Sequence, residues 1–394
     1  MPSSVEYSDN QDLVAELNGF RTARDLYASS AYQKHRARLA ALLEAPRLFV
    51  AEGASPLVRD FVRIAHWNIE KGKHLDAVIK TFLSHPLLRY ADLISLNEAD
   101  VGMNRSAQRF VARELGAALG MHVAFAPAYL EFSKGYGEDL QMPGANTVAL
   151  QGNAILSRHE LRRARIIELP VCFDHFEHAE KRIGRRVALA VEVEIGGHRL
   201  SFVSAHLEVR NSPACRARQM GSVIAELERP ESSTAAIIAG DLNTNTFSRG
   251  GRWRTLRGFA RILLSDPEQL ARAIAAPQSH EPLFALLHRH GFTEQGFNSR
   301  DITCRVPMRG IEDGSRLPPV FAAMIERKLA RYDYQLDFRL DWMVGRSVTP
   351  LGDGEIVDAV SGVSSLGPQT VAGLRNEKGG PISDHDPITA DVRV

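Results

Sequence analysis

Between residues 147 and 243, strand-like runs crowd together: TVALQGNAILSR, RRARIIELP, GRRVALAVEVEIGGHRLSFVSAHLE and TAAIIAGDLN. A single helical segment, ACRARQMGSVIAELE, lies among them, with Met220, Val223, Ile224 and Leu227 on one face. This crowding constrains the fold more than any other feature. A doubly wound parallel sheet needs a long crossover, usually a helix, after each strand, and the chain has no such alternation. EVEIGGHRLSF places Gly196 and Gly197 between two alternating runs, the signature of a tight antiparallel hairpin. Strand-rich runs with helices between and around them predict two packed sheets covered by helices.

The flanks agree. Residues 10–46 space their apolar residues at helical intervals and predict two helices ahead of the loop-like PRLFVAEGASP. From residue 61 the texture changes. FVRIAHWNIE and ADLISLNEAD read as strands with polar ends, KHLDAVIKTFLSH and SAQRFVARELGAALG as helices, the latter closed by Gly120. PLFALLHRHGF and LPPVFAAMIERKLARY read as helices, QLDFRLDWMVG as a strand. The expected division is a helical extension over 1–60 and one large α/β domain over 61–394, with 305–335 inserted before the LDW strand.

Composition excludes some classes. A net charge of +1 over 394 residues exerts no bulk pull on nucleic acid or membrane, so any such attraction must be local. Three scattered cysteines (Cys172, Cys215, Cys304) show neither metal-ligand spacing nor a disulfide framework. With no signal-peptide pattern at the start and no apolar run long enough to span a bilayer, the expectation is a cytosolic protein.

Polar residues collect where the apolar strands end. WNIE ends in Asn68 and Glu70, SLNEAD holds Asn97 and Glu98, GNAILSR opens with Asn153, and SAHLE contains His206. GDLNT supplies Asp241 and Asn243, RLDW supplies Asp341, and the C-terminal SDHDP supplies Asp384 and His385. A carboxylate or imidazole at the end of such a strand is costly unless partnered. One case is a cap or a turn; a whole series suggests convergence. Carboxylates and carboxamides are hard oxygen ligands that suit Mg²⁺, Mn²⁺ or Ca²⁺ better than zinc. Two histidines near carboxylates supply acid–base chemistry near neutral pH. Together these groups match what hydrolysis of a phosphate ester requires.

The ordered series WNIE, NE, GNAILS, HLE, GDLNT, LDW and SDHDP resembles the endonuclease/exonuclease/phosphatase superfamily, the fold of pancreatic deoxyribonuclease and exonuclease III. The resemblance runs over roughly residues 61–394 and implies a four-layered α/β sandwich of two mainly antiparallel sheets. It implies Glu98 as principal Mg²⁺ (or Mn²⁺) ligand beside Asn68, with Asp384 as a second ligand or a support. Asp241 and Asn243 would orient or activate water and contact the phosphate. His385, held by Asp341, would bind or protonate the phosphate or act as base, and His206 would be the second imidazole. Glu70 and Asn97 are expected as supports, and Asn153 as a phosphate contact.

Two basic segments are candidates for substrate contact. EKRIGRRVAL brings Arg182, Arg185 and Arg186 to a strand entrance, and arginine forks suit phosphate oxygens. TFSRGGRWRTLRGFAR carries Arg252 and Trp253 among further arginines, and such interleaving suits a polyanion with bases to stack. Tyr136 lies in a glycine-rich stretch that could rim the cleft. The expected activity is metal-dependent hydrolysis of phosphodiesters, with nucleic acid as the leading substrate. A phospholipid such as sphingomyelin, or an inositol phosphate, is the alternative within the same fold. A catalytically inactive binding module is the alternative outside it.

Overall fold

The computed structural model describes residues 7–135, 137–178, 180–246, 272–307 and 335–394, with a few isolated positions in between. Arg252, Trp253 and Tyr136 lie outside the described residues, as does nearly all of LPPVFAAMIERKLARY. Strands are numbered in chain order. The first sheet runs, in space, β1 (Arg47–Phe49), β4 (His122–Glu131), β5 (Leu150–Ser157), β3 (Leu93–Val101), β2 (Val62–Asn68), β16 (Ile388–Arg393) and β14 (Thr349–Pro350). β7 (Arg182–Gly184) pairs with β4, and β15 (Gln369–Thr370) with β16. The second sheet runs β13 (Asp341–Arg346), β10 (Ala235–Asp241), β9 (His198–His206), β8 (Val187–Ile195) and β6 (Arg162–Glu168). β11 (Cys304–Pro307) and β12 (Gln335–Phe338) form a separate antiparallel pair. Among the described residues each large sheet contains one parallel pair, β2 with β3 and β9 with β10.

Alternation along each strand builds the layers. Val62 and Ile64 of β2, Ala235, Ile237 and Ala239 of β10, and Leu200 and Phe202 of β9 meet between the sheets. Ala65, Trp67 and Ile69 face the opposite way, onto the helices Leu75–Ser84 and Val111–Leu119. Ala236, Ile238, Val203 and Ala205 face the helices Pro213–Leu227 and Pro282–Arg289 on the other side. The result is helices, sheet, sheet, helices. Burying a side chain such as Phe202 completely is worth about 1.5–3 kcal/mol. The N-terminal helices also bury Leu13, Leu17, Leu26 and Leu39 in the outer core of the first sheet.

Three details differ from the expectation. The N-terminal region holds three helices, Gln11–Asn18, Ala23–Ala28 and Ser30–Leu43, because Thr22 and Ser29 each cap a new start through a side-chain oxygen. QLDFRLDWMVG is two strands in different sheets. The Thr303 hydroxyl accepts from the backbone N–H of Leu340 (3.0 Å) and Asp341 (3.1 Å), which breaks the ladder there. Finally, Cys172 and Cys215 are disulfide-bonded, with Cα atoms 6.4 Å apart. They join the loop before β7 to the start of the 213–227 helix, a proximity that sequence spacing does not carry. Cys304 is free and buried.

Candidate active site

The same alternation that fills the core places polar groups at its open end. Position 68 continues the inward-facing series 62, 64, 66 of β2; 206 continues 200, 202, 204 of β9; 241 continues 235, 237, 239 of β10. Register then aligns them. In the second sheet Asp341, Asp241 and His206 are direct neighbours across three strands. In the first, Asn68 lies opposite Asn97.

Glu98 reaches the mouth through an irregularity. Pairing of β3 with β5 shifts register between Leu96 and Ala99, and Glu98 adopts a left-handed φ of 57°. Asn97 continues the inward face of Leu93 and Ser95 and lies between the sheets. Its Oδ1 accepts from the Asp241 backbone N–H (2.8 Å), and its Nδ2 donates to Asn153 (3.1 Å) and Ser204 (3.2 Å). Glu98 stays half-exposed at the rim. Asn243, with φ 50°, closes a tight turn in which its N–H donates to Asp241 Oδ1 (2.9 Å) and its Nδ2 to the Leu207 carbonyl (3.0 Å).

The SDHDP turn is pinned just ahead of β16. The Ser383 hydroxyl donates to the Asn68 carbonyl (2.7 Å), and Trp67 Nε1 donates to the His385 carbonyl (2.9 Å). His385 Nδ1 lies 2.7 Å from Asp341 Oδ2, while His66 Nε2 takes the other oxygen at 3.1 Å. Asp241 Oδ2 accepts from Asn68 Nδ2 (3.2 Å) and stands 3.4 Å from His206 Nε2 and 3.8 Å from His385 Nε2.

Protonation follows from these contacts. Burial disfavours a charge on His385, but the Asp341 carboxylate outweighs it and lifts the imidazole pKa well above its ordinary value. Asp341 moves the opposite way: burial raises it, and His385 and His66 pull it below the usual carboxylate range. Burial and the neighbouring Asp341 charge push Asp241 up to about 7, against the pull of His385. Burial, with Arg186 and His385 nearby, holds His206 neutral.

Asp384 is exposed beside this cluster. Glu70 shares the rim. Its carboxyl is raised by burial and by the charges of Asp384 and Glu98, with Lys73 Nζ at 3.4 Å as partial relief. Glu70, Glu98 and Asp384 stand near the Asn68 amide, close enough for the last two to raise the Glu70 carboxyl but not with their oxygens gathered at one point, and as hard-oxygen groups they suit a divalent cation such as Mg²⁺ or Mn²⁺. Among the described residues it is Cys304, Asp384 and His385 whose ligand atoms lie close enough to share an ion as they stand. Burial pushes the Cys304 thiol up to about 12, however, which leaves it a protonated neighbour of His385.

A sequence model described as the endonuclease/exonuclease/phosphatase family matches residues 65–385, the span that carries every residue of this site. The chain belongs to that family. Its members are phosphoesterases, nucleases among them. No curated protein matches the chain. Among solved structures, an endonuclease/exonuclease/phosphatase protein of Beutenbergia cavernae is 16% identical, with a TM-score of 0.44, covering 85% of this chain and 72% of that one. D. rerio TDP2 complexed with single strand DNA product is 16% identical, with a TM-score of 0.43, covering 85% and 99%. A 3′–5′ exonuclease of Neisseria meningitidis is 16% identical, with a TM-score of 0.43, covering 84% and 98%. No helix among the described residues is long and apolar enough to cross a membrane.

For this family member, sequence reading and structure part company at the arginines. Arg182 is 6% exposed and does not face the cleft. Its Nη1 reaches Glu131 (3.2 Å), Glu180 (3.5 Å) and Gln151 Oε1 (3.3 Å), and its guanidinium lies 4.0 Å from the Tyr129 ring centre. It is an interior ion-pair residue, because β7 ties it to the edge of the first sheet. Asn153 is likewise engaged: Nδ2 donates to the Val187 carbonyl across the sheets (2.8 Å), and Oδ1 accepts from Asn97. Arg186, in contrast, borders a small pocket with Glu98 and His206.

Sequence reasoning missed His66, Gln151 and Glu208. His66 had a signal, since it lies two residues before Asn68 and so shares its face. Gln151 stands in the same relation to Asn153. Glu208 follows His206 in SAHLE at the same interval. Its carboxylate meets His175 Nε2 at 3.1 Å and Arg186 Nε at 3.9 Å.

Proposed function

We propose that this protein is a divalent-metal-dependent phosphodiesterase that acts on nucleic acid. One observation carries the reading: Asp341, Asp241 and His206 form a single row facing His385, beside the carboxylates of Glu70, Glu98 and Asp384. A structural cluster would neutralise its acids, whereas this one leaves them in excess at an open rim.

In the proposed mechanism Glu98, Asp384 and Asn68 Oδ1 would hold the cation, with Glu70 beside them. When bound, Mg²⁺ or Mn²⁺ supplies positive charge to a phosphate oxygen. Asp241, with a pKa of about 7, accepts a proton from the attacking water. Neutral His206 steadies that carboxylate without competing for the proton. His385, kept protonated by Asp341, faces the developing charge and gives a proton to the departing oxygen as its bond to phosphorus breaks. His66 holds the second oxygen of Asp341, so that Asp341 orients the imidazole rather than swinging away.

The test is hydrolysis of bis-p-nitrophenyl phosphate, plasmid DNA, single-stranded RNA and sphingomyelin with Mg²⁺, Mn²⁺ or EDTA, with Glu98→Ala and His385→Ala alongside. Cleavage of nucleic acid that needs metal and disappears in both variants is expected. Turnover confined to sphingomyelin, or none with either metal, would overturn the reading.

A further inference from the structure

Cys304 is a free, buried thiol that takes no part in the proposed mechanism. The backbone fixes its place. The start of β11 runs antiparallel to the SDHDP turn, with Cys304 directly opposite His385. One hydrogen bond on each side frames the pair: the Asp386 N–H donates to the Thr303 carbonyl (2.7 Å) and the Arg305 N–H to the Asp384 carbonyl (3.2 Å). Side chains directly opposite across such a pair lie on the same face, with Cβ atoms about 4.5–5.5 Å apart. Cys304 Sγ, a ring nitrogen of His385 and a carboxylate oxygen of Asp384 all stand within 4.8 Å of one another. Asp341, at 2.7 Å, holds the His385 ring in one orientation.

This trio differs in chemistry from the rim. Glu70, Glu98, Asp384 and the Asn68 amide oxygen offer oxygen alone, which suits Mg²⁺. A thiol, an imidazole and one carboxylate are a mixed sulfur, nitrogen and oxygen set, and sulfur selects a softer ion. Three such ligands, with a fourth position left to water, match a tetrahedral Zn²⁺ centre. Cys304 and His385 are buried, but Asp384 is exposed, so an ion reaches the thiol and the imidazole from its side.

We infer that Cys304, His385 and Asp384 form a second metal site, for Zn²⁺ or an ion of similar softness, whose occupation switches the enzyme off. The ion replaces the thiol proton and one proton of the His385 ring. Both protons go to water, and no electron is transferred. The departing oxygen thereby loses its proton donor, and Asp384 is drawn away from the hard cation. The inhibitory role rests on the phosphodiesterase reading; the metal site itself does not.

The first measurement uses Co²⁺ as a coloured substitute for Zn²⁺. With Cys172 and Cys215 joined, Cys304 is the single thiol of the chain. Without reductant, a thiolate-to-cobalt charge-transfer band in the near ultraviolet therefore reports on it alone. The wild type should show that band, together with the intense visible absorption of four-coordinate cobalt, and Cys304→Ser and Cys304→Ala should lack the band. Its absence from the wild type overturns the site. The second measurement titrates Zn²⁺ into the Mg²⁺-supported hydrolysis of bis-p-nitrophenyl phosphate, each protein being compared with its own zinc-free rate. The wild type should lose activity, and Cys304→Ala should need about 100-fold more Zn²⁺ for the same loss, since even groups that only support a metal ligand are worth about 10–100-fold in affinity. Equal sensitivity of the two proteins, or activation of both by Zn²⁺, overturns the inhibitory role. If no ester is hydrolysed with any metal, the phosphodiesterase reading fails by itself, and the cobalt spectrum alone decides the site. The wild-type spectrum needs no variant, so the test stays open should Cys304→Ala fail to fold.

Discussion

Asp100 and Asp241 are both buried carboxylates near strand ends, one in each large sheet, and they meet opposite treatment. Asp100 receives the full fork of Arg105, at 2.7 and 3.0 Å. The same arginine reaches Glu180 at 3.0 Å and Glu131 at 3.8 Å, Arg182 meets Glu131 at 3.2 Å, and Lys71 meets Glu180 at 3.4 Å. The acids Asp100, Glu131 and Glu180 are thus matched by Arg105, Arg182 and Lys71. Asp241 has an amide, two imidazoles at 3.4 and 3.8 Å, and another aspartate as strand neighbour. Residue types alone do not separate the two clusters. Charge balance does: in the first each acid has a cation in reach, whereas the second is short of positive charge and therefore suited to recruit a cation and to move protons.

That contrast can be broken most directly at Asp241. Asp241→Asn should lower kcat/KM on bis-p-nitrophenyl phosphate by about 10³–10⁴-fold, the scale of a lost acid–base group. It should leave the urea midpoint unchanged or raised, because an under-compensated buried acid becomes neutral. A marked loss of stability there would erase the difference between the clusters. Asp100→Asn should behave in reverse. It strips Arg105 of its fork in the interior and should cost about 3–5 kcal/mol in urea unfolding, while the folded enzyme keeps its activity.

Glu208 sharpens the comparison through pH. Burial works against its charge, but the His175 hydrogen bond and the Arg186 charge outweigh it and bring the pKa down to about 2. A carboxylate depressed by folding contributes stability that is complete above its unfolded pKa of 4.5 and lost as pH falls through about 2. Wild type should therefore lose about 3 kcal/mol more than Glu208→Gln between about pH 5 and pH 2, measured by urea midpoints. Equal slopes would show that Glu208 belongs with the unbalanced set. The smallest effect belongs to the surface. Arg162 pairs with Glu160 and Glu194 while 53% exposed, and Arg162→Ala should change stability by less than about 1 kcal/mol.

Strand alternation made much of this legible in advance. A polar residue that continues an inward-facing aliphatic series, as Asn68, His206 and Asp241 do, must lie between the sheets or at their mouth. The same rule points to His66 and Gln151, whose two-residue spacing from Asn68 and Asn153 is visible in HWN and QGN. Arg182 and Arg186 were not separable this way. They stand four residues apart in EKRIGRRVAL, but the chain passes between them from the first sheet to the second. Gly184 makes the crossing possible, with φ 116° and a site where an added Cβ would lie 2.1 Å from the Ala128 carbonyl oxygen.

The sequence by itself determined the layered class, the inward faces, and a donor set of carboxylates, amides and imidazoles with no soft partner in series. These are local properties: side-chain direction alternates with the backbone, and apolar patterning reports which face is buried. Only the tertiary structure decided which groups meet. The row Asp341–Asp241–His206 depends on register between strands far apart in the chain, and the Glu98 bulge on a shift in pairing with β5. Whether an arginine ends among several acids, like Arg182 with Glu131 and Glu180, or beside a single one, like Arg186 with Glu208, depends on how many acids the fold brings within reach of it. That number is set by long-range packing, which no local pattern encodes.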